Sequence, residues 1–493
     1  MFNFQSIINV SIFKEKGAWL FLASVLLFVN IYSLSTLTTK PAYWYDEALN
    51  VELARNFSEF GKLDLVIAPN TLSERGATVG STGYPVTVPL AGFFKLFGFG
   101  LTQARAYMLV WMSLFVIAFF FIARELWGPS VAYGGTLLLT TFAPFYGNGR
   151  SVMGEIPGFF FFLCAYYLFE RKKWLWSGFL LGLAVVSKPS VYLFFIPAFA
   201  IVLLLYDDRW KKKIVNLVIM GIGALLALLP WFMIYAHEVY RGGLAQNILN
   251  HFKNPYAEAG VNALTNIHVN LPTLLTSTTL LYMWVLLIGF VVAISAQRGL
   301  LREHKDIFIL SAVYLPLSLV QYLKSFGYLR YLIATEFLIF ILFLIALPAL
   351  ARVATRKMPW LGRETVIIGV SIGILALAQT VHLFTFSDLY SSEKTQKTIL
   401  YLYTNYSQGT IGVINVPQVA SFIPSFQKYQ YLSTYGLWKF GSPILYLSGD
   451  KAPGTLVTAS GDEGLSSEER GLLRARYKED TGFLEGFSIY TKR

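Results

Sequence analysis

Long apolar runs recur along the chain, and most have the length of a helix that crosses a bilayer. Such a helix needs about 20 predominantly apolar residues, and short polar or basic stretches separate the runs. The pattern therefore predicts a polytopic α-helical membrane protein with about eleven spans. We place the spans at residues 17–36, 106–124, 130–147, 154–170, 174–187, 190–206, 214–235, 273–296, 307–324, 331–350 and 365–386.

Three longer segments interrupt these runs: a loop at 37–105, a loop at 236–272 and a tail at 387–493. In the first loop, Asp46 is a good N-cap for an amphipathic helix that lies on the membrane surface. A second apolar stretch contains Pro85 and Pro89, which favour another surface-lying helix over a span.

The tail alternates short β-like runs with one polar helical stretch, a pattern typical of a small α/β domain. The β-like runs are Ile411–Val416, Ile444–Leu447, Thr455–Thr458 and Phe487–Tyr490, and the helical stretch is Ser466–Tyr477. We therefore expect two domains. Residues 1–386 form a transmembrane domain that includes the loop 37–105, and residues 387–493 form a C-terminal α/β domain.

The composition argues against a soluble protein and against a nucleic-acid-binding protein. Hydrophobic residues make up 55% of the 493 residues and charged residues 14%, against roughly 25% charged in soluble domains. The net charge of +12 lies almost wholly before residue 387, because the tail holds eleven Lys/Arg and ten Asp/Glu. A nucleic-acid-binding protein would concentrate its charge on a soluble surface, so no nucleic-acid partner is expected. The single cysteine, Cys164, allows no disulfide within the chain.

Basic residues predict the orientation, since cytoplasmic loops are enriched in Lys and Arg. Seventeen of them cluster in alternate short loops: Lys14, Lys16, Arg124, Arg171, Lys172, Lys173, Arg209, Lys211, Lys212, Lys213, Arg298, Arg302, Lys305, Arg352, Arg356, Lys357 and Arg363. Eleven crossings then place the N-terminus in the cytoplasm and the tail outside a plasma or inner membrane. The segments 174–187 and 190–206 are expected to form a hairpin with Lys188 at its outer tip.

Ionisable residues at the outer boundary are the candidates for chemistry. Asp46 and Glu47 follow aromatic residues and could act as a general base or hold a cation; alternatively, they belong to a plain surface helix. Arg150 and Glu155 stand at the start of a span, where they could face the same cavity or form a local ion pair. Lys188 could neutralise an anionic ligand or extend its ammonium group to water.

A late pair, Arg330 and Tyr331, marks the outer turn before the tenth span, and Glu336 lies within that span. An ionisable group inside a membrane helix is a functional candidate; the alternative is a buried pair between Glu336 and Arg330. The same face of the membrane thus receives six ionisable residues from separate loops: Asp46, Glu47, Arg150, Glu155, Lys188 and Arg330. A cavity there would suit a ligand with an anionic head and an apolar tail.

These motifs resemble those of the GT-C membrane glycosyltransferases, in particular the glycosyltransferase family 39-type branch with the protein O-mannosyltransferases and lipid A aminoarabinose transferases. The first span is followed by an aromatic residue, Asp46, Glu47 and Ala48. The other similar segments are Tyr84-Pro85 to Gly98 with Arg105 opening the next span, Gly154 to Phe160, Gly178 to Lys188, and Arg330-Tyr331. The family often has a proline soon after its Arg-Tyr pair, where this chain has Ala334 or Glu336.

The resemblance, which covers about residues 15–350, implies an inverting transferase that uses a polyprenyl-phosphate-linked sugar and an extracytoplasmic glycan, lipid or protein acceptor. It implies Asp46 as the base, and Glu47 and Glu155 as residues that orient substrates. Arg150, Lys188 and Arg330 would bind the phosphate, with Tyr84 and Tyr331 also in the substrate site. No cofactor is required by these residues; if a divalent metal such as Mg²⁺ or Mn²⁺ is used, Asp46 and Glu155 would hold it.

Three other functions compete with this prediction. A transporter or flippase of lipid-linked glycans would usually place charges near the membrane midplane and contain internal repeats. In this sequence the candidate charges lie at one face, Glu336 excepted, and we find no convincing repeat. Transfer of a whole oligosaccharide block and a non-enzymatic scaffold for the tail also remain open. Covalent transfer of sugar from a polyprenyl phosphate would separate the enzymes from the transporter and the scaffold.

Overall fold

A computed structural model of the chain provides the geometry described below. It describes residues 16–68, 71–74, 76, 80–206, 209–235, 263–325, 327–358, 363–386, 391–424, 428–432, 447, 452–462, 464–482 and 486–493. Most of these residues are helical, and strands are concentrated near the C-terminus.

The membrane part is a bundle of helices with two additional helices in its first long loop. In chain order the helices are α1 (Lys16–Ser35), α2 (Tyr45–Phe60), α3 (Tyr84–Phe97), α4 (Leu101–Trp127), α5 (Pro129–Thr141), α6 (Ala143–Gly149), α7 (Glu155–Glu170), α8 (Trp174–Ser187), α9 (Pro189–Tyr192), α10 (Phe195–Leu204), α11 (Trp210–Ile234), α12 (Ala263–Thr276), α13 (Thr278–Ala296), α14 (Leu300–Glu303), α15 (Lys305–Lys324), α16 (Ile333–Lys357) and α17 (Glu364–Phe386). A 3-10 turn, Leu329–Leu332, leads into α16.

The predicted class of polytopic helical membrane protein is confirmed. Every predicted span coincides with helix, and seven helices among the described residues are long and apolar enough to cross a membrane. They are α1, α4, α11, α13, α15, α17 and the segment Leu329–Lys357. The other predicted spans correspond to shorter helices, α5 to α10, so the number of full crossings stays a prediction.

Burial separates the central helix of the bundle from those at its periphery. In the segment Leu329–Lys357, 72% of the most apolar stretch of 18 residues is buried, whereas the corresponding share is 17% for α11 and for α17. A helix that is apolar on all sides and buried on all sides belongs in a core, whereas an apolar helix left exposed faces lipid. The core therefore surrounds α16, and α11 and α17 lie at the lipid boundary.

Two helices are present where the first loop was predicted to have them, as α2 and α3, with the short antiparallel strands β1 (Val66–Ala68) and β2 (Thr71–Leu72) between them. The expected surface position of α2 is wrong, because its residues from Glu47 to Asn56 are all buried. The predicted N-cap is wrong. Helix α2 begins at Tyr45 with Trp44 as its N-cap residue, and no side chain caps it. Asp46 lies in the first helical turn instead, and its carboxylate is engaged elsewhere.

The second predicted loop, 236–272, ends earlier than expected because α12 begins at Ala263 and is joined to α13 at Ser277. Residues 236–262 lie outside the described part of the chain. Two asparagines of α12 attach it to the end of α15. Asn266 donates to the carbonyl of Lys324 (2.8 Å) and Asn270 to that of Ser325 (2.7 Å), which fixes the turn that leads to Arg330.

The C-terminal region contains helices and a five-stranded mixed sheet, as expected of an α/β region, and three of the five strands coincide with predicted β-like runs. Strands β3 (Ile411–Ile414), β4 (Lys428–Leu432), β5 (Thr455–Ala459), β6 (Tyr477–Glu479) and β7 (Phe487–Lys492) are arranged in the order β4-β3-β5-β7-β6. The helices here are α18 (Glu393–Asn405), α19 (Pro417–Ala420) and α20 (Ser467–Arg476). A capping box between Ser466 and Glu469 starts α20. Of the predicted strand at 444–447, residues 444–446 lie outside the described part, and Leu447 is helical rather than extended.

The bundle has two chemically different ends. At the first, the loop end, α2 and α3 adjoin the starts of α4 and α7, and the C-terminal region packs on them. At the other, the basic end, Arg171 pairs with Glu125, and Lys305 donates to the carbonyl of Leu205 (3.1 Å). These contacts join loops that carry the clustered basic residues. The predicted basic loops therefore share one end, opposite the C-terminal region.

Candidate active site at the loop end

The first turn of α2 presents Asp46 to Arg330, which lies 284 residues away in sequence. The guanidinium NH2 of Arg330 donates to Oδ2 of Asp46 at 2.5 Å. The Asp46 side chain is 22% exposed and that of Arg330 9%, so the pair lies just below the surface of the loop end. Because the pair is partly accessible, a ligand that enters from the loop end could reach both groups.

Three aromatic rings surround the Arg330 guanidinium. Its central carbon lies 4.0 Å from the ring centre of Trp44, 4.9 Å from that of Tyr328 and 5.2 Å from that of Tyr331. Cation–π contacts of this kind hold a guanidinium without occupying its N–H groups. The Nε and NH1 atoms of Arg330 are buried and have no hydrogen-bond partner among the described residues. Those donors remain for an anionic ligand.

A second buried pair joins Lys188 and Glu155. The ammonium Nζ of Lys188 lies 3.6 Å from Oε1 of Glu155, and the two side chains are 2% and 0% exposed. Lys188 therefore does not extend to water, and the expected alternative of a local pair between Arg150 and Glu155 is not what forms. Both carboxylate oxygens of Glu155 lack a hydrogen-bond partner among the described residues. A buried charge without hydrogen bonds is costly, so the pair is poised for a polar ligand.

Close backbone packing places Lys188 beside Glu155. A Cβ at Gly154 would lie 1.8 Å from the carbonyl oxygen of Ser187, so only glycine allows this approach. Gly83, just before α3, presses on the same segment and donates its N–H to Ser187 O at 3.3 Å. The hydroxyl of Tyr192 donates to the carbonyl of Glu155. The hairpin tip is thus held against the starts of α3 and α7.

The two pairs form one electrostatic cluster. Burial lowers the pKa of the Lys188 ammonium; the charges of Glu155 and Asp46 raise it, and that of Arg330 lowers it. Arg330 and Tyr331 also lie within electrostatic range of Glu155. Asp46, Glu155, Lys188 and Arg330, predicted from four separate segments, therefore meet at one place. We call these four residues the charged cluster.

Glu47 lies outside the charged cluster, although it is the neighbour of Asp46. Its carboxylate accepts two hydrogen bonds from Arg105, at 3.0 and 2.9 Å, and both side chains are fully buried. Arg105 also donates to the carbonyl of Leu37 at 2.9 Å. The pair joins α2 to α4, and successive residues of a helix point in directions about 100° apart, which separates Glu47 from Asp46.

Arg150 belongs to the surroundings of this second pair. Its NH1 donates to the hydroxyl of Thr36 at 2.6 Å, and its guanidinium lies 5.5 Å from the ring centre of Tyr32. Burial lowers the pKa of Arg150 to about 10, so the group keeps its charge at neutral pH. Among the charges that act on it are those of Arg105 and Glu47.

The last predicted site residues are Tyr84 and Tyr331. Tyr84, the first residue of α3, donates its hydroxyl to the carbonyl of Ala227 in α11 at 2.8 Å. Tyr331 lies beside the Arg330 guanidinium. Glu336 is buried, with 2% of its surface exposed, and Arg330 pairs with Asp46 rather than with Glu336.

Breaking the Glu47–Arg105 pair should destabilise the protein strongly. We expect Glu47→Gln and Arg105→Met each to cost about 3–5 kcal/mol, because either change leaves a buried charge without its counterpart. The double variant should lose less than the sum of the two. Thermal unfolding in detergent measures the three values, and additive losses would show that the two side chains do not act as a pair.

A family model and several solved structures match this chain, and they indicate the same fold. The family described as dolichyl-phosphate-mannose-protein mannosyltransferase matches residues 87–234. ArnT from Cupriavidus metallidurans, in a crystal structure bound to undecaprenyl phosphate, is similar with a TM-score of 0.64 at 14% identity, over 97% of this chain and 98% of ArnT. Its apo structure gives 0.59 at 13% identity, over 95% and 97%. The chain has the GT-C fold.

A third GT-C structure is more distant. The oligosaccharyltransferase from Archaeoglobus fulgidus, tethered with an acceptor peptide, has a TM-score of 0.51 at 11% identity, over 98% of this chain and 75% of that one. No curated protein sequence matches the chain. The GT-C fold expected from the sequence resemblance is confirmed by these matches.

The charged cluster of this GT-C chain offers only a weak site for a metal. No group of three or more His, Cys, Asp or Glu side chains lies close enough to hold a metal ion, as far as the described residues extend. Asp46 and Glu155 are each paired with a cationic side chain. A divalent ion would have to displace Arg330 or Lys188 from these carboxylates.

Sequence reasoning missed several residues that shape the candidate site. Trp44 and Tyr328 enclose Arg330, and Tyr192 bonds the backbone of Glu155. Asn50 on α2 donates to the carbonyl of Val152 at 2.8 Å and to Thr82 at 3.0 Å. The aromatic run around Trp44 was visible in the sequence, but nothing there indicated which cation it would meet.

Proposed function

We propose that the chain is an inverting glycosyltransferase that moves a sugar from a polyprenyl phosphate to an extracytoplasmic glycan, lipid or protein. The charged cluster carries this proposal. It combines one partly exposed carboxylate with two cations, and several of its buried donors and acceptors have no hydrogen-bond partner within the described residues. Lipid-phosphate leaving groups need cations, and hydroxyl acceptors need a base.

Lys188 and Arg330 would bind the donor phosphate. The Nε and NH1 donors of Arg330 are free of hydrogen bonds within the described structure, and a guanidinium can bind phosphate with two parallel hydrogen bonds. Lys188 would supply a point charge for the same group. The binding of undecaprenyl phosphate by the C. metallidurans ArnT structure supports a lipid-phosphate donor.

Asp46 would act as the general base. It would take the proton of the acceptor hydroxyl while the hydroxyl oxygen forms a bond to the anomeric carbon. The bond from that carbon to the phosphate oxygen breaks, and its electron pair stays on the phosphate. In the free protein, Arg330 pairs with Asp46. Donor phosphate would draw Arg330 towards itself and leave the carboxylate available, so the donor would prepare the base.

The remaining predicted residues receive supporting roles. Glu155 would orient the sugar or acceptor through its carboxylate oxygens, which accept no hydrogen bond from the residues that the structure describes. Glu47 and Arg150 would hold α2 and the segment before α7 in place, through Arg105 and Thr36. Tyr84 and Tyr331 would line the entrance. With the basic end in the cytoplasm, as positive loop charge favours, the charged cluster and the C-terminal region face outwards.

A transfer assay tests the function directly. Purified protein in liposomes would receive radiolabelled hexosyl and pentosyl polyprenyl phosphates, with an envelope fraction as the source of acceptors. We expect covalent transfer of label together with release of polyprenyl phosphate. Label that crosses the bilayer without covalent transfer would instead identify a transporter of lipid-linked sugars and overturn the proposal.

The affinity for the donor should fall at alkaline pH. Because burial lowers the pKa of Lys188, the ammonium loses its proton below the ordinary lysine value of about 10.4. Lys188 is fully protonated at low pH and loses its charge as the pH rises through the lowered pKa. The value of kcat/KM should therefore decrease on the alkaline side of the pH profile. Lys188→Arg should move the decrease to higher pH, since a guanidinium keeps its proton. If the alkaline decrease of kcat/KM occurs at the same pH in Lys188→Arg as in the wild type, Lys188 is not its cause.

A further inference from the structure

The C-terminal region holds Tyr43, which lies three residues before Asp46, at both of its ends. The backbone N–H of Tyr43 donates to Oγ of Ser392 at 2.9 Å. Its hydroxyl is hydrogen-bonded to Oγ of Ser421 at 2.8 Å. Tyr43 is 3% exposed, so no water competes for either bond. Tyr43, three residues before the candidate base, is thus fixed by two partners that lie 349 and 378 positions later in the chain.

The segment before Tyr43 is fixed in the same way. The N–H of Ser392 donates to the carbonyl of Thr39 at 2.8 Å, and its hydroxyl donates to that of Pro41 at 3.1 Å. Gln396, in the first turn of α18, donates to the carbonyl of Thr38 at 2.7 Å. The backbone from Thr38 to Tyr43 therefore lies along the start of α18 and has little freedom to shift.

Arg55 provides a second attachment on α2 itself. Its NH1 donates to the carbonyls of Ser421 (3.0 Å) and Ile423 (2.6 Å), just after α19. The guanidinium also lies 4.7 Å from the ring centre of Phe99. Arg55 is 5% exposed. Helix α2 is thus held both before its first turn and in its third turn, and Asp46 lies between the two attachments.

We propose that the C-terminal region is a positioning element of the active site, which fixes Asp46 through Tyr43 and Arg55. This inference rests on the proposed function and goes beyond it, because it gives the C-terminal region a part in catalysis. A displacement of about 1 Å in a reacting group can cost a hundredfold in rate. The contacts to Ser392 and Ser421 restrict such displacements. None of these residues touches the charged cluster, so they act on Asp46 through the backbone.

The Tyr43→Phe variant tests this with the loss of one oxygen atom. We expect kcat to fall about five- to tenfold, since a base that is less well fixed spends less time in the reactive position. The donor KM should stay within about twofold, because Lys188 and Arg330 are untouched. Ser421→Ala should act alike, and the double variant should be no worse than either single one, because all three lack the same hydrogen bond.

Tyr490→Phe is the matched control. It removes the hydroxyl that donates to Asp462 at 2.9 Å within the C-terminal region, a bond that involves neither Ser392 nor Ser421. We expect a similar loss of thermal stability but an unchanged kcat. Equal losses of kcat in both variants would reduce the effect to general stability and overturn the proposal.

Hydrogen–deuterium exchange provides a readout that does not need activity. Amides of residues 43–50 should exchange faster in Tyr43→Phe and not in Tyr490→Phe. Unchanged exchange in Tyr43→Phe would overturn the positioning role whatever the transfer assay shows. If the wild-type protein transfers no sugar, the proposed function fails, and the exchange experiment still decides whether the C-terminal region fixes α2.

Discussion

Asp46→Asn should lower kcat by about 10²–10⁴-fold, the range that a general base contributes. The amide keeps the size of the carboxylate but accepts no proton. The same change removes the negative charge that pairs with Arg330 and leaves at most a neutral amide acceptor, so the guanidinium becomes more available to phosphate. Affinity for undecaprenyl phosphate should therefore increase while turnover falls. A simple folding defect would lower both.

Asp306→Asn is the matched control for this variant. Asp306 lies at the basic end, where it accepts a hydrogen bond from Tyr206 at 2.7 Å. The change of charge is identical, but we expect wild-type kcat and phosphate affinity. Transfer assays and equilibrium binding of undecaprenyl phosphate on both purified proteins make the measurement. Near-normal turnover by folded Asp46→Asn would remove Asp46 from the mechanism.

Lys188→Met should abolish measurable transfer and also destabilise the fold. Removal of one cation from a leaving-group site costs about 10²–10³-fold in rate. The variant also leaves Glu155 buried without a counter-charge, which typically costs about 3–5 kcal/mol. Thermal unfolding in detergent and the transfer assay measure the two effects separately.

The double variant Lys188→Met with Glu155→Gln distinguishes catalysis from packing. It carries no unpaired charge, so we expect most of the stability to return while transfer stays absent. Lys95→Met, an exposed lysine of α3 at the same end of the bundle, should leave both properties unchanged. Wild-type transfer by the double variant would show that the Lys188–Glu155 pair only stabilises the fold.

The predicted helices were recovered well because their signal is local. An apolar run of about 20 residues has few alternatives to a membrane helix, and the stretch with Pro85 and Pro89 forms the helix α3, as expected. The predicted N-cap failed for a reason that is not local. Arg330, 284 residues away, engages the Asp46 carboxylate, and no pattern around Asp46 reports that partner.

The site was predicted only in part, because its pairings also depend on contacts between residues that are far apart in sequence. Shared sidedness placed the four residues of the charged cluster at one face, because alternation of loops depends on sequence order. It also placed Glu47 and Arg150 there, and these two contact Arg105 and Thr36 instead. Pairing within the charged cluster depends on helix packing. The contact of Gly154 with Ser187 decides that Glu155 meets Lys188 and not Arg150. Helical geometry could have separated Glu47 from Asp46, since adjacent helix residues do not face the same way.

The hydrogen bond between Tyr43 and Ser392 also has a consequence for the timing of biosynthesis. The two residues are 349 positions apart. At synthesis rates of about 5–20 residues per second, roughly 20–70 s separate the appearance of Tyr43 from that of its partner. During that interval the nascent chain already contains Asp46 but not the residues that hold it. A chain that is truncated before Ser392 would insert its helices and still lack an ordered base, so incomplete products would be inert.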